Sequence, residues 1–180
     1  MRTLVLGGIR SGKSRWAEAA IAESLQADQP VQYLATGQLA DTDTDAAWRQ
    51  RIAEHRGRRP SHWSTVETDD VAGQLRRSPD TPTLVDDVGG WLTATLDKRQ
   101  AWDGGSVSPD LDDLTAAVAE FSSPLVLVSP EVGLTVVAAT ASARRFSDEL
   151  GALNQRLAAL CERVVLVVAG YPLPIKQAGA

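Results

Sequence analysis

Thr3-Leu4-Val5-Leu6, followed without a break by Gly7-Gly8-Ile9-Arg10-Ser11-Gly12-Lys13-Ser14, is the stretch on which the fold is decided. The short apolar run predicts a buried strand. The eight residues after it match G-x-x-x-x-G-K-[ST], and a helix-length stretch, roughly Gly12–Leu25, comes next. Strand, glycine-rich loop and helix are the context in which this motif cradles phosphate. Glycines let consecutive backbone N–H groups point at phosphate oxygens, and the helix adds its positive N-terminal end. Lys13 is then expected to reach the β- and γ-phosphates, and the Ser14 hydroxyl to ligate Mg²⁺. The plainer reading of the same residues is a glycine-rich turn between a strand and a helix.

Further along the chain, four more apolar runs read as strands: Val31–Ala35, Thr83–Asp86, Leu125–Ser129 and Val164–Ala169. They are continuous rather than alternating, as expected of strands buried on both faces of a mostly parallel sheet. Helix-length stretches lie between them, roughly Asp43–Arg56, Asp69–Arg77, Gly90–Arg99, Pro109–Phe121 and Thr140–Cys161. The alternation predicts a three-layer α/β domain of the P-loop NTPase-like (RecA-like) kind, one catalytic nucleotide-binding unit over residues 1–180. In the last helix Ala143, Phe146, Leu150, Leu153, Leu157 and Leu160 form one stripe, expected to be core. Asp97–Asp110, with its Asp-Gly-Gly, reads as a mobile surface loop.

With 18 basic and 23 acidic side chains the formal charge is −5, which disfavours general nucleic-acid binding. The single cysteine, Cys161, can form no internal disulfide and suits a reducing cytoplasm. The opening residues are too briefly apolar for a signal peptide or a membrane span, so neither targeting nor membrane association is expected.

A P-loop needs a carboxylate on a neighbouring strand for the metal, and Leu84-Val85-Asp86-Asp87 supplies one at a strand end. Asp86 is the choice made here. Asp87 remains open, because the two adjacent side chains face opposite ways and a turn or helix-cap aspartate is common at such a place. From Arg49 to Arg59 there are five arginines and one acid. Such a cluster suits phosphate, which arginine binds bidentately, or else forms a solvated basic helix face. His55 lies inside it. Neighbouring arginines favour the neutral imidazole, which is a nucleophile, although a lone histidine at such a place can equally be a surface or core-edge residue. His62 reads as a loop residue without a role, and Glu67 alone carries no signal.

Taken together, G-G-x-R-S-G-K-S at the N-terminus, Y-L-A-T-G at 33–37, R-I-x-x-H-R-x-R-R-P at 51–60, W-x-T-x-E at 63–67, E-V-G at 131–133 and R-R-F-x-D-x-L-G-x-L-N-Q-R-L leading to G-Y-P-L-P-I-K resemble the bifunctional adenosylcobinamide kinase/adenosylcobinamide-phosphate guanylyltransferase family. The resemblance covers essentially the whole chain. It implies phosphorylation of adenosylcobinamide by ATP or GTP, then transfer of GMP from GTP to adenosylcobinamide-phosphate through a guanylyl-histidine, in cobalamin biosynthesis. By the resemblance that histidine is His55, and Ala35, Thr36, Gly37, Arg56, Gly57, Arg58, Arg59, Glu67 and Asp86 join Gly7 to Ser14 in contacting nucleotide. A small homo-oligomer is also implied. The chain departs from the family pattern at Pro130, where Asn is usual, at Gly89-Gly90, where a Thr-containing segment is usual, and at Val137-Ala138-Ala139, where a Pro is common. These departures surround the expected corrinoid side. Two other readings of the P-loop are a small-metabolite kinase using the first reaction only and a nucleotide-binding regulator without turnover.

Overall fold

A computed structural model describes residues 1–36, 59–134 and 138–177. The helix expected over 43–56 lies outside them. The described chain runs β1 (Arg2–Gly7), α1 (Lys13–Glu23), β2 (Gln32–Ala35), β3 (Ser64–Glu67), α2 (Val71–Arg77), β4 (Thr83–Asp86), α3 (Val88–Lys98), α4 (Ser108–Glu120), β5 (Leu125–Pro130), α5 (Ala141–Leu160), β6 (Arg163–Val168) and β7 (Tyr171–Lys176). The seven strands form one sheet in the order β3-β2-β4-β5-β1-β6-β7. All pairs are parallel except β6 with β7.

Continuous apolar strands bury both faces. Leu4, Leu34, Val85, Leu125, Leu127 and Val164 pack under the apolar sides of α2, α3, α4 and α5. Their neighbours in sequence Val5, Tyr33, Leu84, Val126, Val128 and Val165 turn the other way, against Ala17 and Ile21 of α1. This is the expected three-layer arrangement. On α5 the stripe is core at Leu150, Leu153 and Leu157, with Phe146 and Leu160 packed at its margin.

Two strands escape sequence reading. Ser64–Glu67 is short and mostly exposed, and it pairs only with β2 at the sheet edge. Tyr171–Lys176 carries two prolines. On an edge strand the missing N–H groups cost no ladder bond if they face outward, and Pro172 and Pro174 sit two residues apart, on one side of the strand. The hairpin before β7 turns on Ala169 and Gly170, at φ 51° and 85°, the paired positive values of a tight two-residue connection.

The loop expected to be mobile, Asp97–Asp110, is tied down instead. Its Ala101 and Val107 are buried in the core. The Trp102 indole donates to Asp97 at 2.6 Å, Arg99 forks onto Asp110 at 2.9 and 3.0 Å, and Arg145 donates to the Gly105 carbonyl at 2.6 Å. Polar, glycine-rich composition concealed two apolar anchors.

Candidate active site

Because six strands run the same way, their C-terminal ends share one edge of the sheet, where open α/β sheets take their ligands. Ala35 lies level with both Glu67 and Asp86, and Gly7 with Pro130. The expected site residues on β1, β2, β3 and β4 are thus gathered by register alone.

The loop after β1 is shaped by its glycines. A Cβ on Gly7 would stand 2.5 Å from the Ser11 hydroxyl and 2.8 Å from the Val167 carbonyl. Gly12 caps α1 at φ 93° and passes Gly170 so closely that a Cβ would meet its Cα at 3.2 Å. The Gly170 N–H donates to the Ser11 carbonyl at 2.7 Å, so the β6–β7 hairpin braces the loop from behind. On the other side the Glu131 N–H donates to the Gly7 carbonyl at 3.1 Å. Arg10 takes φ 56°, Gly8 is open to solvent and Ile9 is 85% exposed at the loop tip. The Ser11 hydroxyl is buried without a partner among the described residues. Its oxygen lies against Gly7.

Lys13 and Ser14 open α1. The Ser14 hydroxyl donates to Asp86 Oδ1 at 3.2 Å, and the Tyr33 hydroxyl donates to Asp86 Oδ2. Asp87 turns the other way, caps α3 and accepts from the Gly90 N–H at 2.7 Å. Of the two acids, Asp86 is the one that meets Ser14. Burial, then the Asp86 charge, push the Asp87 carboxyl up, while the Gly90 N–H and Lys13 pull it down. Tyr33 is pushed up strongly, first by burial and then by the charge of Asp86. Ser14 and Asp86 offer two hard oxygens. Two ligands at neighbouring corners of an Mg²⁺ octahedron stand about 3 Å apart, so the pair fits this ion, which takes few protein ligands and fills the rest with water and phosphate.

Thr36 is buried, with its hydroxyl donated to the Asp87 carbonyl and its N–H to that of Asp86 at 3.2 Å. What it holds is the corner between β2 and β4. Glu67 is exposed at the end of β3, where the Thr68 N–H donates to the Ala35 carbonyl at 3.0 Å. Arg59 stacks on the Tyr33 ring, 3.3 Å from its centroid, and donates to Thr65 at 3.0 Å. Glu18 lies 3.9 Å from the same guanidinium. Gly37, His55, Arg56, Gly57 and Arg58 lie outside the described residues. His62 is at the surface, 3.8 Å from Asp28.

Two of the departures from the family pattern touch each other. A Cβ on Gly89 would stand 2.8 Å from Cγ of Pro130, so glycine at 89 makes room for proline at 130. Asn154 fixes the same corner: it accepts from Ser129 at 2.6 Å and donates to the Pro130 carbonyl at 3.0 Å.

Residues 3–175 match the family described as cobinamide kinase / cobinamide phosphate guanyltransferase. The chain belongs to this family. It is 44% identical to the bifunctional adenosylcobalamin biosynthesis protein CobP of Pseudomonas aeruginosa over 98% of both chains. It is 37% identical to CobU of Salmonella typhimurium over 98% of this chain and 100% of that one. Among solved structures, the type III secretion ATPase EscN of enteropathogenic E. coli superposes with a TM-score of 0.54 at 12% identity, over 93% of this chain and 43% of its own. That likeness shows the P-loop, RecA-like fold.

Proposed function

We propose that this chain performs both reactions for which its family is named, at one nucleotide site on the C-terminal edge of the sheet. In the first, the hydroxyl of adenosylcobinamide takes the γ-phosphoryl group of ATP or GTP. In the second, GTP gives GMP to the new phosphate, leaving adenosylcobinamide-GDP and pyrophosphate. The observation that carries the reading is the Ser14–Asp86 pair, 3.2 Å apart beside a complete phosphate loop, in a chain that matches the family from end to end.

For phosphoryl transfer, the backbone N–H groups of Gly7 to Ser14 and the N-terminal end of α1 hold the phosphates, and Lys13 follows the charge as it moves to the leaving diphosphate. Mg²⁺ held by Ser14 and Asp86 would neutralise phosphate charge. For guanylyl transfer, a neutral His55 nitrogen attacks the α-phosphorus, a P–N bond forms, the α–β P–O bond breaks and pyrophosphate leaves. An oxygen of adenosylcobinamide-phosphate then attacks the same phosphorus, the P–N bond breaks and the imidazole is regenerated. Arg56 and Arg58 are assigned to the departing charge, and Ala35, Gly37, Gly57 and Glu67 to the nucleotide. What supports the role of His55 is its place in R-I-x-x-H-R-x-R-R-P, in a chain that matches the family over residues 3–175.

The small homo-oligomer draws support from β7, whose Tyr171, Leu173 and Ile175 are exposed on one side of an edge strand. Sedimentation of wild type beside Leu173→Glu tests it. The function itself is tested by supplying adenosylcobinamide, GTP and Mg²⁺ and following products by mass. Adenosylcobinamide-phosphate should appear first and adenosylcobinamide-GDP with pyrophosphate after it. A chain that stops at the first product is a kinase only, and one that makes neither product contradicts the reading.

A further inference from the structure

Tyr33 is only 2% exposed, yet its hydroxyl ends on a carboxylate at the rim of the site. Asp86 has two oxygens, and the fold uses them differently. Oδ1 accepts from Ser14 at 3.2 Å, and Oδ2 accepts from Tyr33. A carboxylate bonded through one oxygen alone can swing about its Cβ–Cγ bond, whereas one bonded through both is fixed in plane and direction. The tyrosine is itself immobilised. Arg59 covers one face of its ring at 3.3 Å, and that guanidinium is held by Thr65 at 3.0 Å and by Glu18 at 3.9 Å. A chain of contacts thus runs Thr65, Arg59, Tyr33, Asp86, Ser14, from β3 across β2 and β4 to the first turn of α1.

We propose that Tyr33 is a positioning residue that aims the free lone pairs of Asp86 at the divalent cation, and that Arg59 holds Tyr33 to that task. The inference rests on the reading that Ser14 and Asp86 take the cation together with the nucleotide. Tyr33 acts through Asp86 and touches neither substrate nor nucleotide. Its effect therefore falls on the cation alone: partners that orient metal ligands typically contribute roughly 10-fold or more to metal affinity, whereas phosphate binding by the backbone of the loop does not pass through Tyr33.

The test uses Mn²⁺ as the probe, titrated by electron paramagnetic resonance into the full chain saturated with GDP. Tyr33→Phe keeps the ring and the stack on Arg59 and removes only the hydroxyl. It should weaken Mn²⁺ binding roughly 10-fold, leave GDP affinity in EDTA unchanged, and raise the Mg²⁺ concentration for half-maximal phosphorylation while kcat at saturating Mg²⁺ stays near wild type. Mn²⁺ affinity equal to wild type overturns the role of Tyr33. Should Tyr33→Phe fail to fold, the wild-type chain decides: Tyr33 and Tyr171 are its two tyrosines, so 3-fluorotyrosine labelling gives two resonances, assigned through Tyr171→Phe. Adding Mg²⁺ to the GDP complex should shift the Tyr33 signal and leave that of Tyr171 in place, and an unmoved Tyr33 signal overturns the proposal. A wild-type GDP complex that binds no Mn²⁺ refutes the underlying Ser14–Asp86 reading as well, whereas wild-type binding matched by Tyr33→Phe refutes only the inference made here.

Discussion

At the first residue of β1, Arg2 is enclosed by partners: its guanidinium meets Glu162 at 2.6 and 3.1 Å and the Ala119 carbonyl at 2.9 Å, and its N–H is donated to Glu162 too. At the last residue of the same strand, Gly7 opens a loop with an exposed isoleucine at its tip and a buried serine hydroxyl that has no partner among the described residues. The strand is six residues long, yet its two ends answer to different demands. At Arg2 the polar groups are satisfied within the fold and contribute stability. At Gly7 the chain turns into the glycine-rich loop, where the buried Ser11 hydroxyl has no partner among the described residues.

If the two ends differ in this way, substitutions at the loop edge should remove activity and spare stability. Lys13→Ala should lower phosphorylation by roughly 10³-fold with the melting temperature unchanged; turnover within a few-fold of wild type would break the comparison. Asp86 and Asp87 sharpen it within two adjacent residues. Asp86→Asn should cost roughly 100-fold in Mg²⁺-dependent turnover and little stability. Asp87→Ala removes the α3 cap, so it should cost about 1 kcal/mol, read as a fall of about 2–4 °C in melting temperature. Equal activity losses at both acids would contradict the assignment.

Gly89 tests the packing at the C-terminal edge itself. Gly89→Ala should cost about 1–3 kcal/mol by driving a methyl into Pro130, and Pro130→Ala in the same chain should recover most of it. Independent, additive effects in the urea midpoints would show that the two positions are not coupled. The smallest effect belongs to the Arg2 end of β1. The Arg2 hydrogen bond holds the Glu162 carboxyl down at about 2. A depressed carboxylate contributes stability that is present above the ordinary carboxylate range and is lost as pH falls through that depressed value. Glu162 is partly exposed, so Glu162→Gln should cost only about 0.5–1 kcal/mol at pH 7. The variant and wild type should converge between pH 4 and 2, with activity at pH 7 unaffected.

Most of the edge that binds was legible because its demands are local. A glycine pattern between an apolar run and a helix can be read without the rest of the chain, and so can a pair of aspartates at the end of a continuous strand, though not which of them meets Ser14. Ser64–Glu67 was not legible, because four mostly exposed residues have no periodicity of their own and become a strand only by lying beside β2. Nor was β7, whose prolines are tolerated only because it closes the sheet. The role of Thr36 as an internal tie and the stacking of Arg59 on Tyr33 depend on contacts across strands, which spacing does not encode. The Gly89–Pro130 fit is of the same kind: each residue alone reads as a departure, and together they read as packing.

The central claim is that this edge serves guanylyl as well as phosphoryl transfer, and it is tested most directly by trapping GMP on the protein. The chain is incubated with GTP labelled at the α-phosphate, denatured, digested and mapped by mass spectrometry. The expected result is GMP on His55, labile in acid and stable in base as a phosphoramidate is, absent from His55→Ala and present in His62→Ala, with phosphorylation of adenosylcobinamide retained in both variants. Label on His62 or on a lysine, or label retained by His55→Ala, would contradict the account.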